Sequence, residues 1–220
     1  MHDTLDPLAI AKQPTQQRAR ERFESVLKEA ELLLLEVGLS GFSIPLLAER
    51  LGYTRGSIYA YFPTHYAILN ELVGRYLVEL EAVFTTRQEE LFRMSWSESA
   101  TAVVDHAVAF FNRHPIAALL ILGGAVTDHS YRAQELSNKR LGALGRAVWT
   151  LKGYALPEGP ADIATLSADI GSACFRRSFF EHGKITIAYR DAAVAAMLGF
   201  LTPYAKNAEA ALTKTLHRIK

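Results

Sequence analysis

Residues 43–65, SIPLLAERLGYTRGSIYAYFPTH, set the tightest limits on how this chain can fold. Ser43 is a good helix N-cap, and Ile44, Leu47, Ala48 and Leu51 follow at the i, i+3, i+4, i+7 spacing of one buried helix face. Pro45 falls in the first turn, where its missing N–H has no helical partner to lose. Gly52 supplies a helix-ending position. Thr54 then caps a second short helix whose inward residues, Ile58 and Phe62, are four apart. The stretch predicts a helix, a tight turn and a second helix.

The outward face of the second helix carries Arg55 and Tyr59, again four apart, with Gly56, Ser57 and Ala60 around them. A helix laid in the DNA major groove reads bases through residues near its N-terminus. Arg suits bidentate contact with guanine, and Ser can serve several bases. Gly56 and Ala60 add almost no bulk, so a sugar or phosphate could approach closely. Tyr59 and Tyr61 can donate phenolic hydrogen bonds to phosphate, which fixes register without reading sequence. Spacing alone fits this reading and an ordinary bundle with packed tyrosines equally well.

The residue identities favour the first. The run IYAYF at 58–62, preceded by TRGS and followed by PTH, resembles the TetR family of transcriptional regulators. So does the preceding helix ending at Gly38, followed by GFSIPLLAERLGYTRGSIYAYF. The resemblance covers roughly residues 18 to 75. It implies an all-α homodimer with an N-terminal helix-turn-helix domain and a C-terminal helical bundle for ligand binding and dimerisation. It implies domains at 17–64 and 65–220, with a connecting helix at about 65–92 that carries motion to the DNA-binding helix. The DNA-facing positions carried over are Ser43, Thr54, Arg55, Gly56, Ser57, Tyr59, Ala60 and Tyr61. The chain departs from the pattern at His65, where the family usually has Lys, and at Tyr66, where an acidic residue is common.

Charge gives the DNA reading no support. The chain of 220 residues has a formal net charge of +1. Within residues 1–70, seven basic residues (Lys12, Arg18, Arg20, Arg22, Lys28, Arg50, Arg55) face eight acidic ones (Asp3, Asp6, Glu21, Glu24, Glu29, Glu31, Glu36, Glu49). Any neutralisation of phosphate is therefore local. Half of the chain is apolar, as expected of a globular protein with a sizeable core. A single cysteine, Cys174, leaves no internal disulfide and fits a reducing, cytoplasmic setting. The longest apolar stretch, residues 116–126, is too short to span a bilayer, so no membrane is expected as a partner.

In chain order, residues 1–16 read as a flexible arm, and Arg18, Arg20 and Arg22 open the first helix, either reaching a minor groove or a phosphate or standing as solvated charges at a helix start. A first helix follows with its stripe at Phe23, Val26, Leu27, Ala30, Leu33, Leu34 and Val37, ending at Gly38. Thr64 caps the connecting helix, expected to run unbroken to Leu91 or Phe92. Helices at 98–113 and 128–152 follow, then a breaker at Leu156-Pro157-Glu158-Gly159-Pro160. The last two helices, about 161–181 and 188–215, offer small and apolar residues for a four-helix dimer interface or for an intrachain core. Pro203 is expected to kink or interrupt the last one.

The sequence holds no constellation of catalytic residues, no phosphate loop after a strand and no zinc-ligand spacing, so neither an enzyme nor a bound cofactor or metal is expected. A pocket between bundle helices is the alternative. Its candidates are His106, Phe110, Thr127, Tyr131, Trp149, Phe175, Arg176 and Phe179, a composition suited to a hydrophobic or aromatic effector and equally to an ordinary core. The sequence-level reading is a homodimeric repressor that binds a palindromic double-stranded operator and is released by a small molecule. The alternative keeps the DNA-binding domain and makes the C-terminal domain a purely dimerising or partner-binding module.

Overall fold

The computed structural model describes residues 6–157 and 159–219, with side chains through Ala205. Residues 1–5 of the expected arm and Glu158 of the breaker lie outside the described residues. All regular elements among the described residues are helical. They are α1 (Gln17–Gly41), α2 (Ile44–Leu51), α3 (Arg55–Tyr59), α4 (His65–Thr85), α5 (Gln88–Arg93), α6 (Trp96–Arg113), α7 (Pro115–Ala117), α8 (Asp128–Leu151), α9 (Ile163–His182) and α10 (Ile187–Ile219). A short 3-10 turn, Pro7–Ala9, precedes them. None of the helices is long and apolar enough to cross a membrane, among the described residues.

The chain divides into two compact units, Met1–Leu77 with His114–Gln134, and Val78–Arg113 with Glu135–Lys220. This differs from a single boundary at residue 64. The cause is apolar: Ile116 and Leu120 are buried in the same core as α1–α3 and the first three turns of α4, and so bring the segment after α6 into the first unit. Residues 118–122 widen there into a π-helical turn, whose Leu120 is completely buried.

The first unit is built on the α1 stripe, and Phe23, Val26, Leu27, Ala30, Leu33 and Leu34 are all buried. At Gly38 the backbone takes φ 66° and ψ −176°, outside helical geometry and accessible to glycine at little cost, which breaks α1 just after Val37. Against this helix sit Ile44, Leu47 and Ala48 of α2, Ile58 of α3, and Ile68, Leu69, Leu72 and Val73 of α4.

The connecting helix is shorter than its apolar pattern suggests. It ends at Thr85, and a separate α5 begins at Gln88. Two adjacent threonines mark the break. The Thr85 hydroxyl donates to the Glu81 carbonyl at 3.1 Å, and that of Thr86 to Ala82 at 2.7 Å. Such side chains compete with the backbone for the same acceptors and weaken helix propagation.

In the second unit, Ser95 and Glu98 form a reciprocal capping box that starts α6: Ser95 N–H donates to the Glu98 carboxylate at 2.8 Å, and Glu98 N–H to Ser95 Oγ at 3.3 Å. The ammonium of Lys152 donates to the carbonyls of Leu91 (2.8 Å), Phe92 (2.7 Å) and Met94, closing the exposed C-terminal end of α5. Arg190 on α10 clamps Asp105 on α6 with two parallel bonds of 2.6 and 2.7 Å. Asn112 pairs both ways with the Ile185 backbone at 2.8 Å. α10 continues through Pro203 as one helix, so of the kink or interruption expected there the interruption does not occur.

Candidate nucleic-acid interface

The geometry of the α2–α3 turn follows from its caps. The Ser43 side chain accepts from Leu46 N–H at 3.4 Å at the start of α2. Gly52 takes a left-handed conformation (φ 64°, ψ 27°) that sends the Tyr53 N–H back to the Ala48 carbonyl at 2.9 Å. Thr54 Oγ1 accepts from Ser57 N–H at 3.3 Å, and the Ser57 hydroxyl donates to the Thr54 carbonyl at 2.7 Å. The start of α3 is therefore set by side-chain bonds of its cap, Thr54, and of Ser57.

α3 is anchored from below. Ile58 and Phe62 are both completely buried. Burying two side chains of this size stabilises by roughly 3–6 kcal/mol in total. The opposite surface is open: Arg55, Gly56, Tyr59 and Ala60 are exposed, Tyr59 to 44%. A Cβ at Gly56 would meet nothing within 4 Å, so close approach by another molecule is unobstructed there.

The remaining candidates divide. Arg18 is exposed in the first turn of α1. Ser43 and Ser57 are half-buried and already bonded as described. Tyr61 is half-buried with its ring edge on Phe23 at 6.2 Å, so part of it serves packing. His65, half-buried at the start of α4, lies against the Tyr66 ring at 4.0 Å.

Ion pairing accounts for part of the acidic excess of this near-neutral domain. Arg50 of α2 binds Glu29 at 2.6 Å and grips Glu36 with both terminal nitrogens. Arg75 binds Glu24 at 2.6 and 2.7 Å and Glu71 at 3.0 Å. The guanidinium hydrogen bonds hold the Glu24 and Glu36 carboxyls below their ordinary value. Three of the acidic residues counted against DNA binding thus face cations within the domain, while Arg55, Arg18 and Lys12 have no ion-pair partner among the described residues.

Residues 6–13, expected as a flexible arm, instead lie as a strap along the first unit. Lys12 N–H donates to the Tyr61 carbonyl at 2.7 Å, the Thr64 hydroxyl to the Leu8 carbonyl at 2.7 Å, and Asn70 Nδ2 to the Ala9 carbonyl at 2.8 Å. Gln13 adds a bond to Glu71 at 3.0 Å. Neither Lys12 nor Asn70 was a sequence-level candidate.

The effector candidates fall in both units. In the first, the Thr127 hydroxyl donates to Asn70 Oδ1 at 2.8 Å, and Tyr131 is 44% exposed. In the second, Phe110, Trp149 and Phe175 are buried, His106 and Phe179 half-buried and Arg176 exposed. Trp149 packs with Trp96 and Tyr154 at 5.5 Å each, and Phe175 with Phe111 at 6.3 Å. His106 Nε2 is buried without a hydrogen-bond partner. Two surface clefts of the second unit are lined by Thr86, Arg87, Glu89, Glu90, Arg93, Met94 and Glu98, and by Met94, Ser97, Glu98, Thr101, Ala102, Asp105 and Leu198. Neither contains an effector candidate.

Residues 26–72 match the family model described as bacterial regulatory proteins, tetR family. No curated protein matches the sequence. Among solved structures, the fold is similar to a TetR-family transcriptional regulator from Streptomyces coelicolor, with a TM-score of 0.64 and 18% identity over 84% of this chain and 98% of that one. It is also similar to a putative TetR-family transcriptional regulator from Mesorhizobium loti (TM-score 0.61, 13% identity, 86% and 99% covered). A protein with unknown function from Rhodococcus sp. RHA1 aligns with a TM-score of 0.60 at 20% identity, over 88% of this chain and all of that one. At such identities the likeness is one of fold.

Proposed function

We propose that this chain, whose residues 26–72 match the tetR family model, is a transcriptional repressor that binds a palindromic operator as a homodimer. The observation that carries this reading is the two-sided character of α3. Ile58 and Phe62 are sealed in the core while Arg55, Gly56, Tyr59 and Ala60 stand exposed, with no ion pair to Arg55 among the described residues. In this reading Arg55 reads a base edge, Ser57 and Thr54 border the same groove, and Tyr59, Tyr61, Ser43, Arg18 and His65 contact phosphate.

The homodimer is supported by the outer faces of α9 and α10. Leu166 is 40%, Phe180 80% and Ile187 79% exposed. Ala188, Ala192, Ala195 and Gly199 form an exposed small-residue row on α10. Such a row admits close helix approach, and a two-fold pairing would present two copies of α3 to a symmetric site.

Release by a hydrophobic or aromatic small molecule completes the first reading, and it requires an effector that favours the state unable to bind DNA. The second reading, a C-terminal domain that only dimerises or takes a protein partner, is favoured by the commitment of Thr127 to Asn70 and the exposure of Tyr131 and Arg176.

Selection from random double-stranded DNA at a fixed salt concentration tests the core of the proposal. Enrichment of a two-fold symmetric site that is lost with Arg55→Ala supports it; the absence of any enriched site at low salt overturns it. Small-molecule release from that site then separates the two readings of the C-terminal domain.

A further inference from the structure

We propose that Asn70 is a positioning residue for DNA binding, locking the N-terminal strap over the exit of α3; this role rests on the reading of α3 given above. Asn70 is 3% exposed on α4, and both ends of its amide are used. Nδ2 donates to the Ala9 carbonyl at 2.8 Å, and Oδ1 accepts from the Thr127 hydroxyl at 2.8 Å. The amide has one workable orientation, since turning it over would set its oxygen against the Ala9 carbonyl, which can only accept.

Thr127 is itself held. Its Oγ1 accepts from Ser130 N–H at 3.1 Å, and its own N–H donates to Ser130 Oγ at 2.9 Å. Asn70 therefore joins three parts of the first unit: the strap, α4 and the capped start of α8.

The strap depends on these bonds because it buries little. Ala9 is its only fully buried residue, while Leu8 is 56% and Ile10 40% exposed. Apolar burial of Ala9 and the partly covered Ala11 is small beside the entropy lost in ordering the segment. Hydrogen bonds must supply the rest, and the Asn70 bond is the buried one among them, where an unmade bond costs most. Held this way, the strap places the Lys12 N–H on the Tyr61 carbonyl and the Leu8 carbonyl on Thr64. The turn from α3 into α4 is thus bracketed at both ends, and the exposed Lys12 is kept beside the reading helix. An apolar residue of similar size would fill the space at position 70 but release the strap.

The test combines hydrogen exchange at the Lys12 amide, which needs no DNA, with affinity for the selected operator, in the full chain. Asn70→Ala is expected to retain a cooperative melt, to speed Lys12 exchange at least about tenfold, and to weaken operator binding about tenfold, equivalent to ~1.4 kcal/mol. Thr127→Val, which removes the hydroxyl that faces Asn70 and with it the bond accepted from Ser130 N–H, is expected to move both readouts in the same direction by less, and Thr127→Ser to restore them. The Thr127 pair decides the matter if Asn70→Ala does not fold. Wild-type protection of Lys12 in a folded Asn70→Ala or in Thr127→Val overturns the proposal, as does weaker binding that Thr127→Ser fails to restore. Unchanged affinity for a normal wild-type site overturns the positioning role alone. Failure of the wild-type chain to select any site removes the regulator reading and this role together, although exchange would still show whether Asn70 holds the strap.

Discussion

Phe62, at the end of the α3 turn, stacks on Phe23 of α1 with ring centroids 4.5 Å apart and planes 25° from parallel. Both rings are buried, so α3 is positioned from below by an aromatic pair to which the α1 stripe contributes Phe23. Phe62→Ala is expected to destabilise the first unit by about 3–5 kcal/mol through lost burial and the cavity left behind. Urea denaturation of the variant checks this, and a loss below about 1 kcal/mol would contradict the packing described.

Arg55 and Tyr59 should differ in what their loss does. Arg55→Ala is expected to cost about 1–3 kcal/mol on the selected site and to relax preference at one base pair, whereas Tyr59→Ala weakens all sequences alike. Binding to a panel of single-base operator variants distinguishes the two. Equal discrimination before and after the Arg55 change would remove its base-reading role.

His65 occupies the first position of α4, where its ring lies on Tyr66. Substituting a permanent cation, His65→Lys, is expected to strengthen operator binding and to steepen the salt dependence of log K by about 0.9, the value of one further phosphate contact. An unchanged slope would place residue 65 away from the DNA backbone.

The Glu24–Arg75 and Glu36–Arg50 pairs give the first unit an acid sensitivity. Both carboxyls are held below their ordinary value of 4.5 by guanidinium hydrogen bonds. Their contribution is fully present above that value and is lost as pH falls through the lower folded one. Stability measured from about pH 6 down to about pH 3 should therefore drop, and the Glu24→Gln variant should drop less. These residues are largely exposed, so the effect is a modest one.

Lys152 pins three carbonyls at the end of α5, and desolvation lowers its pKa. Lys152→Met keeps the apolar stem and removes the donors, which should destabilise the second unit by about 1–3 kcal/mol. A melt of the variant that matches the wild type would show that water replaces the ammonium without loss.

Much of this architecture was legible in the sequence, because it rests on local rules. Ser43, Gly52 and Thr54 cap as their residue types require, the stripe from Phe23 to Leu34 is buried, and Gly38 breaks α1. Where the reading fell short, tertiary or competing local bonds decided. The strap has no apolar periodicity, and its placement comes from backbone groups that any sequence carries. Asn70 did leave a trace: it sits at the i+3 position between Ala67 and Val73, a polar residue on a buried face. The break after Thr85 could likewise have been read from two adjacent threonines, and the α6 capping box from Ser95 and Glu98. The division of residues 114–134 from the helices around them depends on which core Ile116 and Leu120 enter, which spacing does not encode.

The internal pairing of Arg50 and Arg75 has a kinetic consequence. With those cations spent on Glu24, Glu29, Glu36 and Glu71, and a net charge of only +1, the molecule projects little long-range positive potential. For the DNA-binding role proposed above, diffusion toward a polyanion would then gain little from attraction at a distance, and residence on arbitrary duplex would be brief. Such a molecule would locate its target chiefly by repeated collision from solution rather than by long one-dimensional excursions along the helix, and its occupancy would follow cellular concentration closely.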